Sequence, residues 1–352
     1  MNRFLFKADD LNDYLIPGDK KNIAFLEELY GKAMEYFPIL EKGENKDIEE
    51  KLIKIFNEIN TAIKDIVSQE ERLHVYSIDA MESGKSHVSG LIAKLRDLKT
   101  ENREFIYCIQ RAYEILFSYV FNESNSQKDH LFIKTPVNTP VQNYAVHEIS
   151  LPNKKIANSV MCVMLRAALL PSMIFSREIE ENTTGNYITP FALFKIQRND
   201  LKQEHNMEYM LDLENSCFIP DELDGRDLVF ADPMNATGGS LVTVIKYLNE
   251  IGVKPASITF VNVISAMKGS LNILRALNNC NVYTLWMDPV LNENAYIMPG
   301  LGDAGDRING KEDGSPRDIL QLMAAYDPYI HNLYHNQYQK IKDSFINKRK
   351  GK

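Results

Sequence analysis

Long hydrophobic runs are missing from this sequence: no stretch approaches the length of a membrane span. The opening MNRFLFKADDLNDYL places acids directly after a very short apolar run, without the h-region of a secretion signal. Cysteine is also scarce. Cys108, Cys162, Cys217 and Cys280 stand far apart and form no C-x-x-C pair, which argues against a disulfide framework and a thiolate metal site and points to buried thiols in a reducing compartment. Together these features predict a cytoplasmic protein. Positive charge is in short supply as well: 48 acidic against 40 basic residues give a formal net charge of −8, which disfavours a nucleic-acid or anionic membrane partner. The densest basic cluster, Lys340, Lys342, Lys348, Arg349, Lys350 and Lys352, reads as a solvated chain end. The histidines are scattered. His331 and His335 lie four apart on a predicted helix but lack the carboxylate of an H-E-x-x-H site, so no protein-held metal is expected. ESGKS at 82–86 lacks the first glycine of a P-loop and reads as a helix start, and the Asn182-Thr183-Thr184 triplet would go unglycosylated in a cytoplasmic protein.

What is present is patterned. With 44% hydrophobic residues, the 352-residue chain can bury one large core or two modest ones. From residue 2 to about 72 it is acidic and mostly helical: Phe25, Leu26, Leu29, Ala33 and Tyr36 recur at helical spacing, as do Leu52, Ile55, Phe56, Ile59 and Ile63, with a loop at Gly43 to Asp47 between them. Residues 88–98 and 103–121 continue as helices. Short apolar runs then follow, at Val160 to Leu165, Phe191 to Ile196, Leu228 to Ala231, Ile258 to Val263 and Val282 to Trp286, with helices at Leu241 to Asn249 and Gly269 to Leu277. Strand and helix in alternation predict a mostly parallel sheet covered on both faces, with ligands at the carboxyl ends of its strands. After Gly310 the chain turns polar, then helical and aromatic, able to pack on its own core or on a second subunit.

Two loops carry chemistry. In LVFADPMNATGGSLVTVIKYL an apolar strand ends at Asp232, and Ala236-Thr237-Gly238-Gly239-Ser240 leads into a helix. The glycines let backbone approach an anion. The first-turn N–H groups and the hydroxyls of Thr237 and Ser240 supply donors to phosphate oxygens, and the Asp232 carboxylate can accept from vicinal hydroxyls. That combination suits a sugar phosphate. The second loop, LNENAYIMPGLGDAGDRING, packs three glycines, two aspartates and a proline into residues 299–306. It specifies a tight turn with exposed peptide groups, suited to reading a small planar base with alternating carbonyls and N–H groups.

The first loop resembles the phosphoribosyl pyrophosphate motif of type I phosphoribosyltransferases, and the second is similar, nearly residue for residue, to the base loop of uracil phosphoribosyltransferases. LRDLKTENREF at 95–105, MLRAAL at 164–169, FKIQRND at 194–200, FVNVISAMKG at 260–269 and Asp288 extend the resemblance, in the family's order, over about residues 73–311. It implies a type I phosphoribosyltransferase fold with a small base-binding hood, flanked by helical extensions at 1–72 and 312–352. The implied reaction joins uracil to phosphoribosyl pyrophosphate, giving UMP and pyrophosphate, with magnesium arriving bound to the pyrophosphate. The backbone of Ile297, Gly302 and Ala304 would read uracil, Tyr296 would cover it, and Asp303 would lie near the reacting centre. Arg166 and Arg198, each after an apolar strand, would bind pyrophosphate through forks of donors that stay charged at working pH. The family also implies a homodimer or larger assembly, with a purine nucleotide as a candidate effector.

Some residues depart from the family pattern. A run resembling R-A-G-L-G is here Arg166-Ala167-Ala168-Leu169-Leu170; if the backbone there must approach pyrophosphate or adopt a positive φ, Cβ atoms at 168 and 170 would narrow or reshape the site. Asn199-Asp200-Leu201 replaces an acidic pair, Asn235 stands at a position usually apolar or small, and the connection between the two arginines is long. These changes leave two other readings open. One is a weakly catalytic or non-catalytic relative that senses nucleotide or phosphoribosyl pyrophosphate. The other is a transferase for a modified pyrimidine.

Overall fold

The computed structural model describes residues 3–43, 45–82, 87–121, 128–137, 141–150, 156–183, 187–199, 201–311 and 318–350. The N-terminal part runs β1 (Arg3–Lys7), α1 (Ala8–Asn12), α2 (Pro17–Met34), α3 (Phe37–Leu40), α4 (Lys46–Val67), β2 (Leu73–Val75), α5 (Tyr76–Glu82), α6 (His87–Arg96) and α7 (Asn102–Phe121). A hairpin, β3 (Lys128–Lys134) and β4 (Tyr144–Ser150), leads into β5 (Ser159–Leu165), α8 (Leu169–Glu181), β6 (Phe191–Arg198), β7 (Glu208–Cys217), β8 (Asp227–Ala231), β9 (Met234–Asn235), α9 (Gly239–Glu250), β10 (Ser257–Ala266), α10 (Met267–Ala276) and β11 (Cys280–Asp288). The small hairpin β12 (Val290–Leu291) and β13 (Ile297–Met298) precedes α11 (Ala304–Asn309), α12 (Ile319–Ala324), α13 (Pro328–Leu333) and α14 (His335–Lys350).

The main sheet has the order β1-β7-β6-β5-β8-β10-β11-β2, with the short β9 alongside β10. From β6 through β2 the pairings are parallel, as the alternating pattern predicts, whereas β7 and β1 close one edge antiparallel. Every residue of β5 is buried, as befits a central strand covered on both faces. The chain steps outward from β5 to β6 on one side and from β8 to β10 and β11 on the other. The carboxyl ends of β5 and β8 therefore flank the topological switch, where such sheets hold ligands.

The N-terminal segment is less purely helical than its periodicity predicts. Its first five residues in the structure form β1, paired with β7 from Arg3↔Asp212 to Lys7↔Glu208. RFLFK is too short to declare itself a strand without its partner. The helix after the polar loop begins slightly early, at Lys46, where the Asn45 side chain accepts from the Ile48 N–H. Arg275 of α10 holds the extension to the core through Asp19 of α2 (2.8 Å) and Glu70. At the other end, the C-terminal helices fold onto their own subunit. Glu180 of α8 accepts from Gln337 at 2.9 Å and pairs with Lys340, and Arg177 donates to the Leu333 carbonyl at 3.1 Å. His331 and His335 fall on separate helices, α13 and α14. Residues 83–86 of the ESGKS fragment and Thr184 lie outside the described residues.

Among the described residues, no helix is long and apolar enough to cross a membrane.

Candidate active site

A cleft of about 440 Å³ opens at the topological switch, and Arg166, Arg198, Asp232, Ser240 and Asp303 all line it. Five side chains predicted from four separate stretches of sequence thus meet in one place. Arg166 follows β5 directly. Its guanidinium donates to Asp306 Oδ1 at 2.6 Å and to the Gly310 carbonyl at 3.1 Å, which fixes it against the loop at 299–310. Arg198, at the end of β6, lies 4.8 Å from the centre of the Tyr296 ring and donates to the Ala295 carbonyl at 3.4 Å. Both arginines therefore bridge the strand ends to the segment that follows β11. Lys195 also lines the cleft. Its place in FKIQR, three residues before Arg198, was the available signal, but an alternating strand pattern alone does not tell which face meets a ligand.

The phosphate-type loop is rigid for identifiable reasons. Gly238 has φ +78°, and a Cβ there would meet the Gly269 carbonyl oxygen at 2.7 Å and Ile273 at 2.8 Å, so glycine is required both for the turn and for the packing. Behind it the Asn272 side chain donates to the Thr237 carbonyl at 2.9 Å, and the Ala236 carbonyl packs so closely on Gly269 that a Cβ at 269 would overlap it. Asn235 is buried and donates to Ser265 Oγ at 2.7 Å, which in turn bonds Ser270 at 2.7 Å. The Asn235 amide is thereby given a buried partner in Ser265, itself held by Ser270.

The second loop is held by residues that sequence reasoning did not select as site residues. Asp288, at the end of β11, is buried and receives Arg96 through both guanidinium nitrogens, at 2.6 and 3.1 Å. The same pair grips Gly300 from both sides: the Gly300 N–H donates to Asp288 at 3.0 Å and its carbonyl accepts from Arg96 at 3.0 Å. Arg307 ties the loop to the α6–α7 turn by donating to the carbonyls of Leu95, Leu301 (2.9 Å) and Asp97 (3.0 Å), and Asn102 returns a bond to the Arg307 carbonyl at 2.6 Å. Asp303 caps α11 by accepting from the Asp306 N–H at 2.8 Å. Gly302, at φ +76°, and Ala304 lie within this fixed turn, while Tyr296 and Ile297 sit on the β12–β13 hairpin. Tyr30 of α2 reaches the clamp from behind. Its hydroxyl is pushed up to about 12, chiefly by burial and secondly by the Asp288 charge.

Asp232 and Ser240 from the glycine loop, Asp303 and Gly305 from the second loop, and two arginines thus surround one cleft. The sequence profile described as uracil phosphoribosyltransferase matches residues 82–310. The chain belongs to the uracil phosphoribosyltransferase family. It is 29% identical over 220 residues to the uracil phosphoribosyltransferase of Clostridium kluyveri, covering 62% of this chain and 92% of that one. With the enzyme of Dictyoglomus turgidum it shares 32% over 219 residues, covering 62% and 93%. Among solved structures, the AQ2163 protein of Aquifex aeolicus aligns with a TM-score of 0.46 at 20% identity, over 63% of this chain and 94% of that one.

In this member of the uracil phosphoribosyltransferase family the altered R-A-A-L-L run leads straight into α8. Ala168 adopts an ordinary right-handed conformation at the start of α8, and Ala168 and Leu170 are both buried in the core rather than lining the cleft. Of this run, Arg166 and Ala167 line the cleft, and Ala168 and Leu170 do not.

Asp232 has a distinctive electrostatic position. Burial raises its carboxyl to about 7, the Met234 N–H that it accepts from opposes the rise, and the charge of Asp303 adds to it. Because the folded value lies above the unfolded one, the contribution to stability is complete below the unfolded pKa and is lost as pH rises through about 7. Only the carboxylate can accept from both hydroxyls of a ribose. Affinity for ribose 5-phosphate is therefore expected to rise by up to about tenfold per pH unit toward pH 7 and then level off. Calorimetry of wild type beside Asp232→Asn checks this, since titration of the ligand phosphate is common to both. Equal slopes for the two proteins would contradict it.

Proposed function

We propose that the protein transfers the phosphoribosyl group of phosphoribosyl pyrophosphate to N1 of uracil. The observation that carries this reading is the convergence of Arg166, Arg198, Asp232, Ser240 and Asp303 on one cleft at the switch point of the sheet. In the proposed complex, Ala236 to Ser240 surround the 5-phosphate and Asp232 accepts from the ribose hydroxyls. The backbone of Ile297, Gly302 and Ala304 pairs with the edge of uracil, and Tyr296 covers the ring. The bond from C1 to pyrophosphate breaks as C1–N1 forms, and we assign the departing N1 proton to the Asp303 carboxylate. Positive charge grows on the ribosyl ring while negative charge grows on pyrophosphate, so catalysis consists of positioning and charge stabilisation. Arg166, Arg198 and Lys195 answer the negative end. Among the described residues no cluster of histidine, cysteine, aspartate or glutamate is arranged to hold a metal ion. In the proposed reaction magnesium enters with the pyrophosphate as part of the substrate, where it neutralises phosphate charge.

We assign this chemistry to residues 73–311 and a supporting role to 1–72 and 312–352, which hold α10, the base-loop clamp and α8 from outside. A base panel tests the reading: uracil is expected to give UMP, and adenine no product, because a base-sized backbone slot excludes a purine. Turnover of a 5-substituted uracil in clear preference to uracil would favour the modified-pyrimidine reading.

The homo-oligomer implied by the family has a candidate surface in the β3–β4 hairpin. Phe132 (71% exposed) lies directly across from Val146 (53%), and Tyr144 (62%) shares their face. An apolar ribbon of this kind is suited to a second copy of the chain. Light scattering is expected to find at least a dimer for wild type and a shift toward monomer for Phe132→Asp. A Phe132→Asp protein with unchanged mass would remove the hairpin from the interface.

A further inference from the structure

We propose that Tyr209 is a positioning residue that aims the Thr237 hydroxyl at the 5-phosphate; this rests on the phosphoribosyl reading of the loop. Tyr209 comes from β7, on the antiparallel side of the sheet and outside both signature loops, and it stands opposite Arg198 in the β6–β7 ladder. The residue is 2% exposed. Its hydroxyl lies 2.6 Å from Thr237 Oγ1 in a fully buried contact, and the Gly239 N–H donates to the same oxygen at 3.3 Å.

A threonine hydroxyl has one proton to give and two lone pairs to fill. When Tyr209 and the Gly239 N–H both donate to Thr237 Oγ1, those lone pairs are occupied and the threonine proton must point elsewhere. We assign the remaining direction to an anion held by the loop. Were the tyrosine oxygen instead to accept from the Thr237 hydroxyl, Thr237 would turn a lone pair to the phosphate, an arrangement that repels. Burial raises the Tyr209 phenol to about 12, so it remains a protonated donor at working pH. The ring adds a second constraint. It lies flat against Gly239, where a Cβ would overlap it, so the first residue of α9 and the donor to Thr237 are fixed together. Tyr209 thus sets the direction of one donor without touching the ligand.

The test is a double-mutant cycle of Tyr209→Phe and Thr237→Val, read by steady-state kinetics and by calorimetry with ribose 5-phosphate. Tyr209→Phe keeps the ring against Gly239. It is expected to raise the KM for phosphoribosyl pyrophosphate about tenfold, the size of one lost charge-assisted hydrogen bond, while leaving the KM for uracil in place. In the Thr237→Val background the same change is expected to have no further effect, because the group through which it acts is gone. Additive losses, or an unchanged affinity in Tyr209→Phe, would overturn the inference. If the wild type gave no UMP, the transferase reading would fall, while the ribose 5-phosphate cycle would still decide the role of Tyr209.

Discussion

An Asp288→Ala protein is expected to lose stability by roughly 3–5 kcal/mol, because it leaves the Arg96 charge without its partner in a mostly buried site. Uracil turnover is expected to fall on the order of a hundredfold. The two losses share an origin in Gly300, whose N–H and carbonyl are both satisfied by the Asp288–Arg96 pair. Freed of that grip, the turn carrying Gly302, Asp303 and Ala304 can drift by an ångström or so, enough to misalign a base read by backbone groups. Thermal denaturation and kcat/KM measure the two effects. A second variant separates them: Arg96→Met with Asp288→Leu removes both charges, and is expected to regain much of the stability while turnover stays low. A double variant with normal uracil kinetics would show that the pair serves folding alone.

The second large effect concerns Arg166. Arg166→Ala is expected to lower kcat by about 10²–10³, with the fold retained, because a donor aimed at the charge on departing pyrophosphate is lost. Arg166→Lys is expected to recover little. The guanidinium makes a 2.6 Å bond to Asp306 and a 3.1 Å bond to the Gly310 carbonyl, and an ammonium cannot span both and still present a fork to phosphate. Rapid-quench measurement of UMP formation isolates this step from product release. A normal chemical rate in Arg166→Ala would show that Arg198 and Lys195 suffice for pyrophosphate.

The parallel part of the sheet was legible because its strands are continuous apolar runs with helical segments between them. The two signature loops were legible because glycine, proline and aspartate at such density have few uses other than a tight, ligand-facing turn. The missed features depend on distant partners. β1 is five residues long and becomes a strand only through β7, more than two hundred positions away in the chain. Arg96 and Asp288 are 192 positions apart, and neither periodicity nor composition announces that they share Gly300. Tyr209 reads from sequence as one more strand aromatic; its hydroxyl gains a role only where β7 passes under the start of α9. The surroundings of Ala168 and Leu170 were hidden for a related reason. Sequence placed them beside Arg166, while the turn into α8 directs them to the core.

The most direct test of the account is to incubate the full chain with labelled uracil, magnesium and phosphoribosyl pyrophosphate and to follow both products. One UMP for each pyrophosphate, with both lost in a folded Asp303→Ala protein, is the predicted result. Binding of phosphoribosyl pyrophosphate or UMP without formation of either product would contradict the transferase account and identify the cleft as a nucleotide sensor.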